Sequence, residues 1–282
     1  MCIRDRLLGA SSGFAEFYQR HPEELAELPE PGGALPSGDD LVAELRAAVD
    51  ADASGFAAHG DESAWVALRV RYRRLLARIA AFDLSADDPV AVLPAVAAAL
   101  ADAAGAALEA SLCVARTRVA GAAGTGLFPR EQVEATRLAV IGMGKAGARE
   151  LNYVSDVDVI FVGGGTDALL DEIGESRVID IATRLAVQTM RGISGMEIEP
   201  PLWEVDANLR PEGKQGALVR SLDSHLAYYD RWAKSWEFQA LLKARPLAGD
   251  RMLGAAYVEA LQPKVWTSAA RENFVDLSLI HI

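Results

Sequence analysis

The chain has little cysteine, little histidine and too few basic residues to balance its acids. Its 282 residues include two cysteines, Cys2 and Cys113. Two thiols make neither a disulfide framework nor a zinc site, and they point to a reducing cytoplasm. The histidines His21, His59, His225 and His281 are scattered without ligand spacing, so none is expected to act in catalysis. No serine or cysteine nucleophile is framed by a base. Against 40 acidic residues stand 28 basic ones, a formal net charge of -12. No basic stripe is present to displace counterions from a nucleic-acid backbone, so nucleic acid is not the expected partner. A nucleotide remains possible, because metal ions can meet its charge. The most apolar stretch, residues 90–107, is interrupted by Pro94 and Asp102 and reads as a buried helix, not a membrane span. The N-terminus carries Asp5 and Arg6 without a following long apolar core, so no signal peptide is expected. No Gly-x-x-x-x-Gly-Lys-Ser/Thr occurs, so a P-loop is not supported.

What is present is a foldable chain. Hydrophobic residues make up 51%, which argues against disorder, and the length allows one or two domains with a sizeable core. Both ends, Met1–Arg6 and Leu277–Ile282, continue no pattern beside them. The expectation is a truncated piece of a longer protein.

The first part is helical in pattern. A helix is expected over 41–51 after the capping stretch Ser37-Gly-Asp-Asp, another over 62–82, and a long Ala-rich one over 89–120. The Gly- and Pro-rich segments 31–38 and 121–126 read as breaks. The character then changes. Residues 137–141 and 157–162 read as strands, Gly163-Gly-Gly-Thr166 as a turn, 176–191 as a helix, 202–210 as a strand, and 221–229 and 233–243 as helices. Strands interleaved with helices make an α/β pattern, with a boundary near residue 130.

Between the first two strands lies Gly142-Met-Gly-Lys-Ala-Gly147, and the second opens with Ser155-Asp-Val-Asp158. The glycines fit a dinucleotide fingerprint, which requires an acid at the far end of the second strand. Here that strand ends in glycines, and Asp156 and Asp158 stand at its start. Two acids two residues apart on a strand share a face. That suits a divalent cation holding a nucleotide's phosphates. Alternation along Trp203–Arg210 puts Glu204, Asp206, Asn208 and Arg210 on one polar face. This is either an exposed edge strand or the source of a third ligand, Asp206, for two metal ions. Lys145 and Arg149, just after the glycines, are either phosphate contacts or solvated surface charges. Arg210, Lys214, Lys243 and Arg245 have the same two readings.

The run Gly142–Phe161 resembles the glutamine-synthetase adenylyltransferase/adenylyl-removing enzymes, a family of polymerase-beta-like nucleotidyltransferases. Two further blocks, Trp203–Val219 and Tyr228–Asp250, follow in family order, and Leu7–Ser12 and His21-Pro-Glu23 in the helical lead-in are similar too. The resemblance implies an α+β fold: a helical region over 1–130, a nucleotidyltransferase α/β domain over 131–250, and the start of a following helical region over 251–282. It implies Asp156, Asp158 and Asp206 as metal ligands for Mg²⁺ or Mn²⁺. It sets Gly142, Gly144 and Lys145, with Ser155 and Arg210, on the nucleotide side. The lead-in and the Lys-Ala-Arg-Pro-Leu-Ala-Gly-Asp250 ending resemble the N-terminal of two tandem units, which removes AMP from a glutamine synthetase tyrosine by phosphorolysis, giving ADP. The C-terminal unit, which attaches AMP from ATP, is then missing. Implied partners are glutamine synthetase and the PII regulatory protein. Val154, Ala146, Ala148 and Asn208 depart from residues common in the family, and none removes a carboxylate. A catalytically silent regulatory module of the same enzyme is the alternative, and a dinucleotide oxidoreductase a third reading.

Overall fold

The computed structural model describes residues 3–28, 33–120 and 128–268. The break expected over 121–126 lies outside the described residues, as do Cys2 and His281. Seven helices precede the first strand or link it to the second: α1 (Ile3–Ala10), α2 (Ser12–Arg20), α3 (Gly38–Ala48), α4 (Glu62–Ser85), α5 (Pro89–Ala120), α6 (Arg130–Ala135) and α7 (Gly144–Ala148). Among the described residues the five strands are β1 (Thr136–Gly142), β2 (Val157–Gly165), β3 (Val205–Asp206), β4 (Val219–Ser221) and β5 (Arg245–Gly249). Helices α8 (Asp167–Ile173), α9 (Glu175–Ser194), α10 (Leu222–Arg231), α11 (Ser235–Leu241) and α12 (Arg251–Ser268) complete the α+β fold.

Local signals explain several boundaries. Ser37 caps α3 by accepting from the Asp40 amide, and Asp40 answers with a bond from the Ser37 amide. Asp61 caps α4, Thr166 caps α8 and Ser221 caps α10. Helix α5 is long and apolar enough to cross a membrane. Here its alanines from Ala99 to Ala115 are buried where α3, α4, α9 and β5 pack around it. One apolar cluster runs from Leu41, Trp65 and Leu108 into Val140, Val159 and Leu185, so the helical part and the sheet share a core.

The sheet order is β3-β2-β1-β5, and β4 also pairs with β2. Strands β1 and β2 are antiparallel, whereas β3 and β4 lie parallel to β2. An antiparallel first pair excludes the dinucleotide-binding βαβ unit that the glycines suggested. Two further expectations are corrected. Gly163–Gly165 do not turn: they continue β2, paired with Leu138, Arg137 and Thr136. A Cβ at Gly163 would sit 2.8 Å from Val219 Cγ1, and one at Gly165 would sit 3.2 Å from Val178 Cγ1. The glycines therefore let β4 and α9 approach the ladder. The strand expected over 202–210 shrinks to Val205–Asp206, because the chain turns immediately afterwards. The Asn208 amide donates to Asp206 Oδ1 at 2.7 Å, and Arg210 N approaches Ala207 O. The alternation survives: Val205 and Ala207 are buried, and Glu204 is exposed.

Buried His225 on α10 is expected to make the fold pH-sensitive. Its ring lies 5.1 Å from the Tyr257 ring, edge to face, and burial pushes its pKa down to about 4. The folded state therefore holds it neutral. Above pH 6.5 the group is neutral in both states, and stability is unaffected. As pH falls from 6.5 to 4 the unfolded chain takes the proton first, and about 3 kcal/mol is lost. Urea melts across this range should show that slope, and His225→Leu should flatten it.

Candidate metal and nucleotide site

The site is built where β2 and β3 begin side by side. Parallel pairing sets Val157 beside Val205 and Asp158 beside Asp206. Asp156 is the residue just before β2, and alternation turns it to the same side as Asp158. Ligand oxygens of Asp156, Asp158 and Asp206 all lie within 4.8 Å of one another. Asp156 is exposed, and the other two are half-buried. Burial raises the Asp158 pKa first, the Asp156 and Asp206 charges raise it further, and Lys145 opposes them. Three hard oxygen donors this close together suit a small divalent cation such as Mg²⁺ or Mn²⁺.

The glycine run shapes this corner. Met143 N donates to Asp158 O at 2.9 Å, tying the turn to β2. Gly144 has φ +49°, and a Cβ there would meet Asp158 Oδ2 at 2.6 Å. The missing side chain is thus the space that the carboxylate fills. Gly147 has a packing role instead, since its Cβ would overlap Lys243 O at 1.9 Å; Gly142 packs on Leu247. Gly144→Ala is expected to strain the backbone and displace the Asp158 carboxylate. Its Mn²⁺ affinity should fall by about tenfold or more, read by titration, with folded content by circular dichroism retained.

The other expected residues are placed as follows. Lys145 Nζ lies 3.3 Å from Ser155 Oγ, which lies 3.4 Å from Asp156 Oδ1. These two residues therefore stand beside the acids. Arg210 lies close enough to feel the Asp206 charge. Its guanidinium donates to Ala207 O at 2.7 Å, Gly216 O at 3.1 Å and Lys214 O at 3.3 Å. It braces the turn after β3, and the Lys214 loop forms a 3-10 turn over Gly213–Gln215. Arg149 pairs with Asp102, and Lys243 with Glu150. Arg245 donates to Gly147 O and Ala146 O. Glu237 accepts from Lys234 N at 2.9 Å and Tyr228 Oη at 3.3 Å, a capping role.

Sequence reasoning missed the support behind Asp206. Arg69 on α4, fully buried, donates to Gly192 O, Glu199 O, Arg191 O and Gly195 O at 2.6–3.2 Å. Arg73, one turn on, donates to Pro200 O at 2.7 Å and Pro201 O at 2.9 Å. Buried Glu199 pairs with Arg20, His21 and Arg73. These bonds hold the segment between α9 and β3 that delivers Asp206. They span more than 100 residues, and no local pattern reports them.

A glycine-rich turn leading to paired acids at the start of one strand, with a third acid on its parallel neighbour, is the arrangement expected of a nucleotidyltransferase. A family model described as glutamate-ammonia ligase adenylyltransferase matches residues 4–260. The chain belongs to that family. It is 63% identical over 271 residues to the bifunctional glutamine synthetase adenylyltransferase/adenylyl-removing enzyme of Leifsonia xyli subsp. xyli, covering 96% of this chain and 26% of that protein. The same-named proteins of Streptomyces avermitilis and Mycolicibacterium smegmatis are each 47% identical, over 97% of this chain and 25% and 26% of theirs. The chain thus spans about a quarter of the length of the curated relatives it matches.

Proposed function

We propose that the chain is the adenylyl-removing unit of such an enzyme: it removes AMP from an adenylylated tyrosine of glutamine synthetase by phosphorolysis, giving ADP. The observation that carries this reading is the convergence of Asp156, Asp158 and Asp206 within 4.8 Å. In the reaction, an orthophosphate oxygen bonds to the adenylyl phosphorus as the bond to the tyrosyl oxygen breaks. The electron pair leaves with the tyrosyl oxygen, which regains a proton. Asp156, Asp158 and Asp206 would hold the Mg²⁺ or Mn²⁺. The bound metal supplies positive charge that offsets the charge developing on the phosphoryl oxygens. Asp206 is fixed by β3 pairing and the Asn208 amide, and Asp158 by the Gly144 cradle. Gly142, Gly144, Lys145 and Ser155 face the nucleotide side in this reading, with Arg210 ordering the loop beside it. Tyr153 and Val154, exposed directly before Ser155, offer an apolar edge to a protein substrate. PII and the adenylyltransferase unit are the further partners.

The test is direct. Purified chain, adenylylated glutamine synthetase, orthophosphate and Mg²⁺ should yield ADP and unmodified tyrosine. Metal and nucleotide binding with no ADP would instead favour a silent regulatory module.

A further inference from the structure

A second polar cavity, of about 430 Å³, lies between the start of α3, the middle of α5, the end of α7, β5 and the start of α12. Its charged lining is Arg149, Arg245 and Arg251 against Asp39 and Asp102. A chain with formal net charge -12 therefore places an excess positive charge in one recess. Arg149 and Arg245 share a single carboxylate, Asp102, at 2.5 and 3.7 Å. The Arg251 guanidinium has no ion pair or hydrogen bond among the described residues. Guanidinium groups from three separate elements line this recess, and such forks grip planar or tetrahedral oxyanions in pairs.

We propose that this cavity binds a small dianionic metabolite through a phosphate or carboxylate group. The volume exceeds an inorganic ion and suits a phosphorylated compound or a polycarboxylate. The position gives binding a route to the carboxylate site. Arg245 donates to Ala146 O at 3.0 Å and Gly147 O at 3.1 Å, the carbonyls at the end of α7. The first residue of that helix is Gly144, against which Asp158 rests. The recess therefore lies at the opposite end of the short helix whose first residue forms the Asp158 cradle.

Calorimetric titration of inorganic phosphate, and separately of citrate, into the metal-free 282-residue chain tests this, with ionic strength held constant by NaCl. Saturable binding of at least one is expected. Binding of phosphate alone assigns a phosphate-bearing ligand, and binding of citrate alone a polycarboxylate. Arg251→Gln, at an exposed helix start, and Arg149→Gln should each weaken it by about tenfold or more. Asp158→Asn should leave it unchanged. No saturable binding, wild-type affinity in both arginine variants, or loss in Asp158→Asn would overturn the assignment. Orthophosphate is also the attacking substrate of the proposed reaction, so the arginine variants and Asp158→Asn, and not phosphate binding by itself, separate this cavity from the carboxylate site.

Discussion

Asp158→Asn is expected to lower ADP formation by about a thousandfold or more while leaving the metal-free fold as stable as before, or slightly more so. The two effects have one cause. Asp158 is half-buried between Asp156 and Asp206, and its pKa is raised by burial first and those charges next. For an acid, a raised folded-state pKa means that ionisation disfavours the fold. The penalty is absent at low pH and present above the folded-state pKa, as at neutral pH. An amide of the same shape removes the charge and its cost, and with it a metal ligand. Thermal melts should therefore show an unchanged or higher midpoint for Asp158→Asn without metal. The upward shift that Mg²⁺ gives the wild-type chain should be lost. Wild-type turnover in this variant would remove Asp158 from the site.

The second large effect is on stability. Arg69→Met keeps the bulk of the side chain but removes the guanidinium donor from the carbonyls of Gly192, Gly195 and Glu199; Arg191 O keeps the Gly195 amide. Gly192 and Gly195 lie at the end of α9, where helix carbonyls need partners from outside the helix, and Arg69 supplies them from α4. Leaving such buried acceptors unmade should cost about 3–5 kcal/mol. At this chain length the melting midpoint should fall by roughly 10 °C. The loosened segment leads to β3, so Mn²⁺ affinity should fall too, although Arg69 belongs to none of the carboxylates' elements. A midpoint within a degree or two of wild type would mean that the loop holds itself.

Much of the carboxylate site is legible in the sequence because it is local. Asp156 and Asp158 are two residues apart, and strand geometry alone puts them on one side. Asp206 could be picked out because alternation persists through Trp203–Arg210, although only two of those residues form a ladder. The glycines carry more than one meaning. Gly142, Gly144 and Gly147 match a dinucleotide fingerprint that the antiparallel β1–β2 pair excludes, and a Cβ at each would meet Leu247, the Asp158 carboxylate and the Lys243 carbonyl. Gly163–Gly165 imitate a turn for a similar reason: a glycine needed for close packing has the same letter as one needed for a bend. The antiparallel β1–β2 pairing, the short strands β4 and β5, and the Arg69–Glu199 support come from contacts far apart in the chain, which no window of sequence displays.

The most direct test of the central claim is a Mn²⁺ titration of the wild-type chain and Asp206→Asn, followed by electron paramagnetic resonance of the free ion. β3 pairing is a backbone contact, and an asparagine Oδ1 can still accept from the Asn208 amide, so the variant should stay folded. Saturable Mn²⁺ binding in the wild type, weakened about tenfold or more in Asp206→Asn, is the expected result. Equal binding in both chains would show that the three carboxylates do not act as one metal site.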